Sequence, residues 1–369
     1  MYMMPILRPT VAEVDLKKLA RNMRKVHEQA GEGVRVLTVL KANAYGHGAV
    51  PLGLFLEKNK LSDFFGAASV EEALQLRQAG VTLPILVLGS IYPFEAFEYA
   101  IKNNIAITIA SLDAAKAVCE IAEKIGKKAL CHVKQDTGMG RIGTRRGGVF
   151  NVIEYLDKNP HVILDGLFTH LSSVETDPAY TEEQIGYYRD TLTNVHLKGI
   201  HINYCHVAAS SAITARPDVH YDMVRTGHSA LGLETGFEPI LSLKTRVVYV
   251  KDVPAGASIS YNRSFIAPAP MKVATLPLGY GDGYLRALSN KAEVLINGKR
   301  CRVLGNITMD MMMVDITNAG SVKVGDEAVA VGRQGGEEIT YAELAEKAGT
   351  IDYELCTLLM MRVPRIYKE

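Results

Sequence analysis

The sequence predicts a (β/α)8 barrel of the TIM type followed by a mostly β C-terminal domain, and three observations carry that prediction. Between residues 13 and 235, eight short apolar runs alternate with amphipathic helical stretches. After residue 236 the alternation stops and strand-like runs follow one another closely. Several of the first eight runs also end in a charged or imidazole side chain, as strands do where a barrel carries its chemistry.

The eight runs are Val34–Leu40, Asp63–Ala67, Pro84–Leu88, Ile105–Ile109, Leu130–Lys134, Val162–Thr169, His201–Val207 and Asp222–Arg225. Each is rich in Val, Ile, Leu or Phe, as parallel strands covered on both faces should be. The helices between them have readable ends. Ser69-Val70-Glu71-Glu72 reads as a capping box opening Glu71–Ala79, which Gly80 stops. Ser111 reads as the cap of Leu112–Ile125, ended by Gly126. A doubly wound sheet is the alternative that the same alternation allows. In the C-terminal part, Lys244–Val250, Met271–Leu276, Glu293–Ile296, Arg300–Leu304, Met309–Ile316 and Glu327–Val331 read as strands. Asn297-Gly298 marks a hairpin, and Thr340-Tyr341-Ala342-Glu343 opens a short helix. The Met309, Met311, Met312, Met313 cluster reads as adaptable packing. The expected domains are a barrel over residues 13–235 and a β domain over 236–369, with residues 1–12 packing on the latter.

Composition narrows the function classes. Hydrophobic residues make up 48% and charged residues 22%, enough for a sizeable core and incompatible with global disorder. The net charge of +1 offers no electrostatic case for nucleic acid or an anionic membrane. Five scattered cysteines, none in a C-x-x-C pair, argue against a disulfide framework or a zinc cluster and suit a reducing cytoplasm. The start, Met1 to Arg8, lacks a signal-peptide core, and the best apolar run, Leu83 to Leu88, is too short to span a bilayer and contains Pro84. The expectation is a cytoplasmic protein.

Lys41 is the most informative residue. The strand before it runs straight into the amine and then into Ala42-Asn43-Ala44-Tyr45-Gly46-His47-Gly48. A lysine held out of water has a lowered pKa and is a nucleophile for an aldehyde. Lys134, His170, His206 and Arg225 end four other barrel strands, and so many cations on one rim need partners or a ligand. The loops after the seventh and eighth strands, His206 to Ser211 and Arg225 to Ser229, lie where barrels hold phosphate. Ser210 offers a hydroxyl there, Gly227 a close backbone approach and Tyr45 a phenol. An amine nucleophile, a phosphate cradle and several cations without a metal-binding motif suggest pyridoxal phosphate. His47 reads as loop scaffold.

These motifs resemble those of the alanine racemase family over essentially the whole chain. They are Lys41 to Gly48, Asp136-Thr137-Gly138-Met139-Gly140-Arg141-Ile142-Gly143, Thr169-His170, Val224-Arg225-Thr226-Gly227, Gly279-Tyr280-Gly281-Asp282-Gly283-Tyr284 and Arg362-Val363-Pro364-Arg365. The resemblance implies a pyridoxal-phosphate isomerase working as a head-to-tail homodimer with shared active sites, on a small amino-acid substrate. It implies that D-alanine is supplied for peptidoglycan through a cofactor–substrate aldimine. By position, Lys41 resembles the aldimine lysine and one catalytic base, and Tyr261 the other base, reaching in from the partner subunit. His170 and Arg225 resemble the network behind that tyrosine, with Arg225 also facing the pyridine nitrogen. Arg141 resembles the residue that contacts the cofactor phenolate and the substrate carboxylate. Lys134 resembles the lysine that the family carries as a carbamate. Met309 would offer a backbone N–H to substrate from the partner chain. Tyr45, Ser210, Gly227, His228 and Tyr353 would hold the phosphate, with His206 in the cofactor-binding set. Tyr280, Tyr353, Glu175 and Arg286 resemble the pocket entrance.

Four positions depart from the family pattern. Ala209 stands for asparagine, Thr308 for cysteine and Glu175 for aspartate, and Tyr261 is followed by Asn262-Arg263-Ser264 instead of a glycine-containing turn. None removes a catalytic group, but they touch the pocket wall and its entrance. A serine or broad-specificity racemase is therefore the alternative. A non-catalytic pyridoxal-phosphate carrier needs neither Tyr261 nor a β domain.

Overall fold

The structure is a computed structural model that describes residues 7–369, so the sequence reading of Met1 to Ile6 lies outside the described residues. The chain divides into two compact units. The first holds Leu19–Ala44 and Ala49–Glu238; the second holds the described residues up to Lys18, Tyr45–Gly48 and Pro239–Glu369.

Strand β1 (Val11–Asp15) belongs to the second unit, and the eight that follow build the first. They are β2 (Arg35–Val39), β3 (Phe64–Ala67), β4 (Ile85–Val87), β5 (Ile105–Ile109), β6 (Ala129–Lys134), β7 (Val162–Phe168), β8 (Tyr204–His206) and β9 (Met223–Thr226). All neighbouring pairs are parallel, in the order β8-β7-β6-β5-β4-β3-β2-β9. The last seam is closed irregularly: the Arg225 N–H donates to the Ala208 carbonyl at 3.0 Å and the Asp222 N–H to the Cys205 carbonyl at 3.1 Å. The result is the eight-stranded parallel barrel the alternation predicts, not a doubly wound sheet. Every residue of β3 and β5 is buried, because helices cover the outside while side chains fill the inside.

The helix starts follow the sequence signals. The Ser69 hydroxyl accepts the Glu72 N–H at 3.3 Å to open Val70–Gln78, and the Ser111 hydroxyl accepts the Ala114 N–H at 3.2 Å to open Leu112–Ile125. Gly126, at φ 67°, ends the latter in the left-handed conformation that glycine takes without penalty. The capping box at Ser69 is only half formed. The Glu72 carboxylate turns instead to the backbone N–H groups of Ala68 and Ala42, each at 2.7 Å.

The second unit continues with β10 (Leu241–Arg246), β11 (Tyr249–Val253), β12 (Ser258–Ile259), β13 (Phe265–Ile266), β14 (Met271–Leu276), β15 (Glu293–Ile296), β16 (Lys299–Leu304), β17 (Met312–Asp315), β18 (Glu327–Gln334), β19 (Glu337–Ile339) and β20 (Arg365–Lys368). Ten of its strands form one sheet, in the order β11-β14-β17-β16-β15-β18-β10-β1-β20 with β19 on β18. β1 pairs antiparallel with β10 and parallel with β20, which ties the N-terminal strand to the chain's last one. The Asn297-Gly298 turn joins β15 to β16 with Ile296 opposite Lys299, both turn residues at positive φ.

Two strand expectations change. The run Lys244–Val250 is not one strand, because the chain changes partner within it: the Val247 N–H bonds the Asp326 carbonyl and the Val248 N–H the Thr275 carbonyl. The run Met309–Ile316 begins its strand only at Met312, because the Thr308 hydroxyl and Met311 backbone bond each other and fold the start into a turn. The methionine cluster divides accordingly, with Met312 buried and Met309 and Met311 exposed. A short helix, Asp352–Thr357, follows Ile351, which offers no side-chain cap and so no sequence signal.

Candidate active site

Lys41 follows Leu40 at the C-terminal end of β2, at the start of an unusual turn. Ala42, Asn43, Ala44 and Tyr45 all lie at φ near +50°, a left-handed turn without glycine. Each such residue costs about 1–2 kcal/mol, so its neighbours must enforce the geometry. Glu72 takes the Ala42 N–H, the Leu40 carbonyl accepts the Ala44 N–H at 2.8 Å, and the Asn43 side chain accepts the Ala49 N–H at 2.9 Å. Within the second unit, Arg365 donates to the Gly46 carbonyl at 2.9 Å, and a Cβ at Gly46 would collide with the Cys356 carbonyl. His47 is buried with Nδ1 against the Tyr45 carbonyl at 2.9 Å, the scaffold role expected of it.

The Lys41 amine is depressed below the ordinary lysine range by burial first and then by the Arg141 charge, with Glu72 pulling the other way. Replacing Glu72 with Gln removes that opposing anion, so the amine should lose its proton at lower pH. We expect the pH midpoint for capture of pyridoxal phosphate by the Glu72→Gln apoprotein to fall by about one unit. An unshifted midpoint would show that Glu72 shapes the turn without tuning the amine.

Lys134, the last residue of β6, is 3% exposed, with its Nζ 4.4 Å from the Phe168 ring centroid. Burial, then the charges of Arg225 and Arg141, lower its pKa to about 7, so a large share of this amine is neutral at physiological pH. Arg141 is exposed on the loop after β6. The Asp136 carboxylate organises that loop by accepting the Gly138 and Gly140 N–H groups at 3.1 and 2.9 Å.

Arg225, in β9, is buried and over-anchored. Its Nη atoms donate to the carbonyls of Thr169 (2.8 Å), Val207 (2.9 Å) and His206 (3.1 Å) and to His206 Nδ1 (2.9 Å), with His170 Nδ1 at 3.5 Å. None of these contacts uses the Nε–H. Burial lowers its pKa to about 10, which leaves it cationic at neutral pH. His170 is driven down to about 2 by burial and then by Arg225, so its imidazole is neutral. Ser210 is buried, and its hydroxyl accepts the Gly227 N–H at 3.1 Å, which ties the two loops of the expected phosphate cradle to each other. His228 stands beside it, and Glu175 lies exposed on the barrel unit.

The barrel unit thus brings together Lys41, Lys134, Arg141, His170, His206 and Arg225 near the C-terminal ends of its strands, with Ser210 and Gly227 beside Arg225. The cations depress one another, with Asp136 and Glu72 as partial counter-charges. Such a donor set fits an anionic aldehyde such as pyridoxal phosphate, with an amine for the carbonyl, hydroxyl and amide groups for the phosphate and a fixed cation for the ring. Among the described residues no group of three or more His, Cys, Asp or Glu side chains is placed to hold a metal ion.

The remaining expected residues lie in the second unit. Tyr261 is 70% exposed on a turn with Ser260, Asn262 and Arg263 all at positive φ. That turn is fixed by the Asn306 side chain donating to the Tyr261 carbonyl at 3.0 Å. Met309, Tyr280, Tyr353 and Arg286 are exposed or nearly so. The fully buried Asp282 carboxylate braces this face. It pairs with Arg8 and Arg362 and accepts the Gly279 N–H at 2.9 Å, and Arg362 continues to the Met309 carbonyl at 3.2 Å.

The family profile described as "Alanine racemase, N-terminal domain" matches residues 14–235, and that described as "Alanine racemase, C-terminal domain" matches residues 240–367. The chain belongs to the alanine racemase family. It is 42% identical to "Alanine racemase 2" of Caldanaerobacter subterraneus subsp. tengcongensis over 98% of this chain and 95% of that one. It is 41% identical to the alanine racemase of Symbiobacterium thermophilum over 98% and 97%. Among solved structures, alanine racemase of Clostridium difficile 630 superposes with a TM-score of 0.93 at 38% identity, covering 99% of this chain and 97% of that one. The alanine racemase of Bacillus anthracis, solved with bound L-Ala-P, gives 0.92 at 33% identity over 99% and 96%. The alanine racemase fold, a barrel followed by a mostly β domain, is the one described above, and the chain is an isomerase. Among the described residues no helix is long and apolar enough to cross a membrane.

Glu72 and Asp165 carry no signal in the sequence, and His132 lies outside every motif, although the structure places all three at or behind the site. Glu72 reads as a cap residue, and Asp165 as a polar break in an apolar strand. His132 lies two residues before Lys134, and the period of two along a strand puts both on one face. That signal could have found it.

Proposed function

We propose that the protein interconverts L- and D-alanine with pyridoxal 5'-phosphate, as a homodimer in the cytoplasm, and supplies D-alanine for peptidoglycan. The observation that carries this reading is the convergence of a depressed Lys41 amine, the fixed Arg225 cation and the Ser210–Gly227 cradle at the strand ends of one barrel. When bound, pyridoxal phosphate supplies an aldehyde and an electron-withdrawing ring that acidify the α-proton of an amino acid. Ser210, Gly227, His228, Tyr45 and Tyr353 would hold its phosphate. Arg225, with Nε–H free of the contacts that anchor its Nη atoms, would meet the ring nitrogen as a permanent cation and disfavour a proton there.

Lys41 takes or returns the α-proton on one face of the substrate, and the phenol of Tyr261 of the partner subunit does so on the other. Inversion needs both, because one base can only return the proton to the face it came from. Arg141 binds the substrate carboxylate, with the backbone N–H of Met309 of the partner subunit; Tyr280, Glu175 and Arg286 line the approach.

Lys134 is the odd cation in this set. As an ammonium it would repel Arg141 and Arg225; as the neutral amine that a pKa of about 7 provides, it can attack carbon dioxide. Its nitrogen bonds the carbon, one proton leaves, and the carbamate anion then pairs with Arg141. A native mass spectrum should show one carbon dioxide per chain, lost in acid and absent from Lys134→Ala. An unmodified native mass at ambient carbon dioxide would rule the carbamate out.

A broader substrate range is favoured by one feature. Ala209 stands where the family pattern has asparagine, beside the expected phosphate cradle, and leaves the short helix Ser210–Ala215 without a side-chain cap. Initial rates on a panel of L- and D-amino acids decide the matter. Alanine leading by orders of magnitude supports the first reading; comparable serine turnover would replace it with a broad-specificity racemase.

A further inference from the structure

Behind Arg225 a line of side chains, buried from Arg225 through His206 to His132 and ending at the partly exposed Asp165, crosses four adjacent barrel strands. Arg225 Nη1 lies 2.9 Å from His206 Nδ1, His206 Nε2 lies 3.0 Å from His132 Nδ1, and His132 Nε2 lies 3.3 Å from an Asp165 carboxylate oxygen. The other Asp165 oxygen accepts the Asn203 amide at 2.8 Å, and the Asn203 carbonyl faces His201 Nε2 at 3.0 Å. We infer that Asp165 and His132 are positioning residues that act on Arg225 through His206, by imposing a single direction on this hydrogen-bond chain. The inference rests on the reading of Arg225 as the partner of the cofactor's ring nitrogen.

The direction follows from the two ends. A guanidinium only donates, so His206 Nδ1 must accept and its proton sits on Nε2. That proton can go only to His132 Nδ1, which leaves the His132 proton on Nε2, aimed at the carboxylate. A carboxylate only accepts, so the chain is satisfied at every atom with both rings neutral. Burial and then the Arg225 charge keep His206 far below the usual histidine range, in agreement with that neutral form.

The barrel is shaped for this line. The β6–β7 register shifts between Cys131 and His132, which sets Gly166 opposite His132, and a Cβ on Gly166 would fall inside the His132 ring. Phe168 stacks parallel on His206 with centroids 4.7 Å apart, and Tyr204 lies parallel to His132 at 6.4 Å. Both rings are fully buried, so neither can be rescued by water. Asp165→Asn keeps the shape and reverses the chemistry. With its oxygen still held by Asn203, the new amide would donate to His132 Nε2, reverse both tautomers and bring a His206 N–H against the guanidinium N–H. Arg225 would then be displaced from its place.

The test has two readouts. In the cofactor-free protein, ¹⁵N spectra of the histidine rings between pH 6 and 9 should show His132 and His206 both protonated on Nε2 alone. In Asp165→Asn, His132 should carry its proton on Nδ1. In the holoenzyme, Asp165→Asn should lower racemisation turnovers per transamination event by about tenfold, as a one-unit shift at the ring nitrogen would. Gly166→Ala, which displaces the His132 ring without altering any charge, should lower it in the same direction. Arg225→Gln serves as the reference. If it leaves the partition unchanged, the reading of Arg225 itself fails. If Arg225→Gln changes the partition while Asp165→Asn and Gly166→Ala do not, or if the wild-type rings carry the other tautomers, the positioning role of Asp165 and His132 is overturned.

Discussion

Lys41→Ala is expected to lower racemisation in both directions by more than about 10⁴-fold, because it removes together the proposed catalytic base and the proposed nucleophile for the cofactor aldehyde. The loss should be chemical, not structural. Burial and the Arg141 charge outweigh the Glu72 carboxylate and disfavour the ammonium on balance, so the loss of its charge should not unfold the protein. The left-handed turn that follows is fixed through the backbone of Ala42 and Ala44 and the side chain of Asn43, none of which the substitution touches. Thermal unfolding of the cofactor-free variant should therefore occur at or above the wild-type temperature. A small primary amine added to the variant should return part of the activity. A variant that unfolds many degrees lower and ignores added amine would mean that Lys41 holds the turn instead of doing chemistry.

Tyr261→Phe removes one oxygen from a side chain that is 70% exposed, so the subunit fold should not register it. Racemisation should nevertheless fall by about 10²–10⁴-fold, the usual contribution of a positioned acid or base. The loss should be uneven in a diagnostic way. With Lys41 as the only remaining base, the enantiomer whose α-proton faces it should still exchange that proton with deuterated solvent, with retention. The other enantiomer should neither exchange nor invert. Equal exchange from both enantiomers would remove Tyr261 from the second-base role.

Much of this was legible in the sequence because the physics is local. The Val-, Ile- and Leu-rich runs announce strands covered on both faces, and Ser69, Ser111 and Thr340 announce helix starts through hydroxyls that the structure shows accepting the expected N–H groups. Lys41, Lys134, His206 and Arg225 stood out because a charge or an imidazole ending an apolar run needs a partner. What was not legible depends on contacts between distant strands. Glu72 caps no differently in sequence whether its carboxylate returns to its own helix or, as here, takes the Ala42 N–H. Gly166 looks like any strand glycine until the β6–β7 register sets it against His132. The run Lys244–Val250 divides only because two different strands compete for its backbone. The left-handed turn after Lys41 has no glycine to mark it and is enforced from outside.

The proposed pairing of Lys41 with Tyr261 as opposed bases contributed by different subunits predicts that two inactive variants restore activity when mixed. Lys41→Ala and Tyr261→Phe chains, dissociated together and reassembled in equal amounts, give heterodimers in about half of all dimers. In each heterodimer one site receives intact Lys41 from one chain and intact Tyr261 from the other, while the second site lacks both. Racemisation should return to about a quarter of the wild-type rate per chain, from two preparations that are inactive alone. Heterodimers that form, as shown by recovery of two different affinity tags together, and yet stay inactive would contradict it.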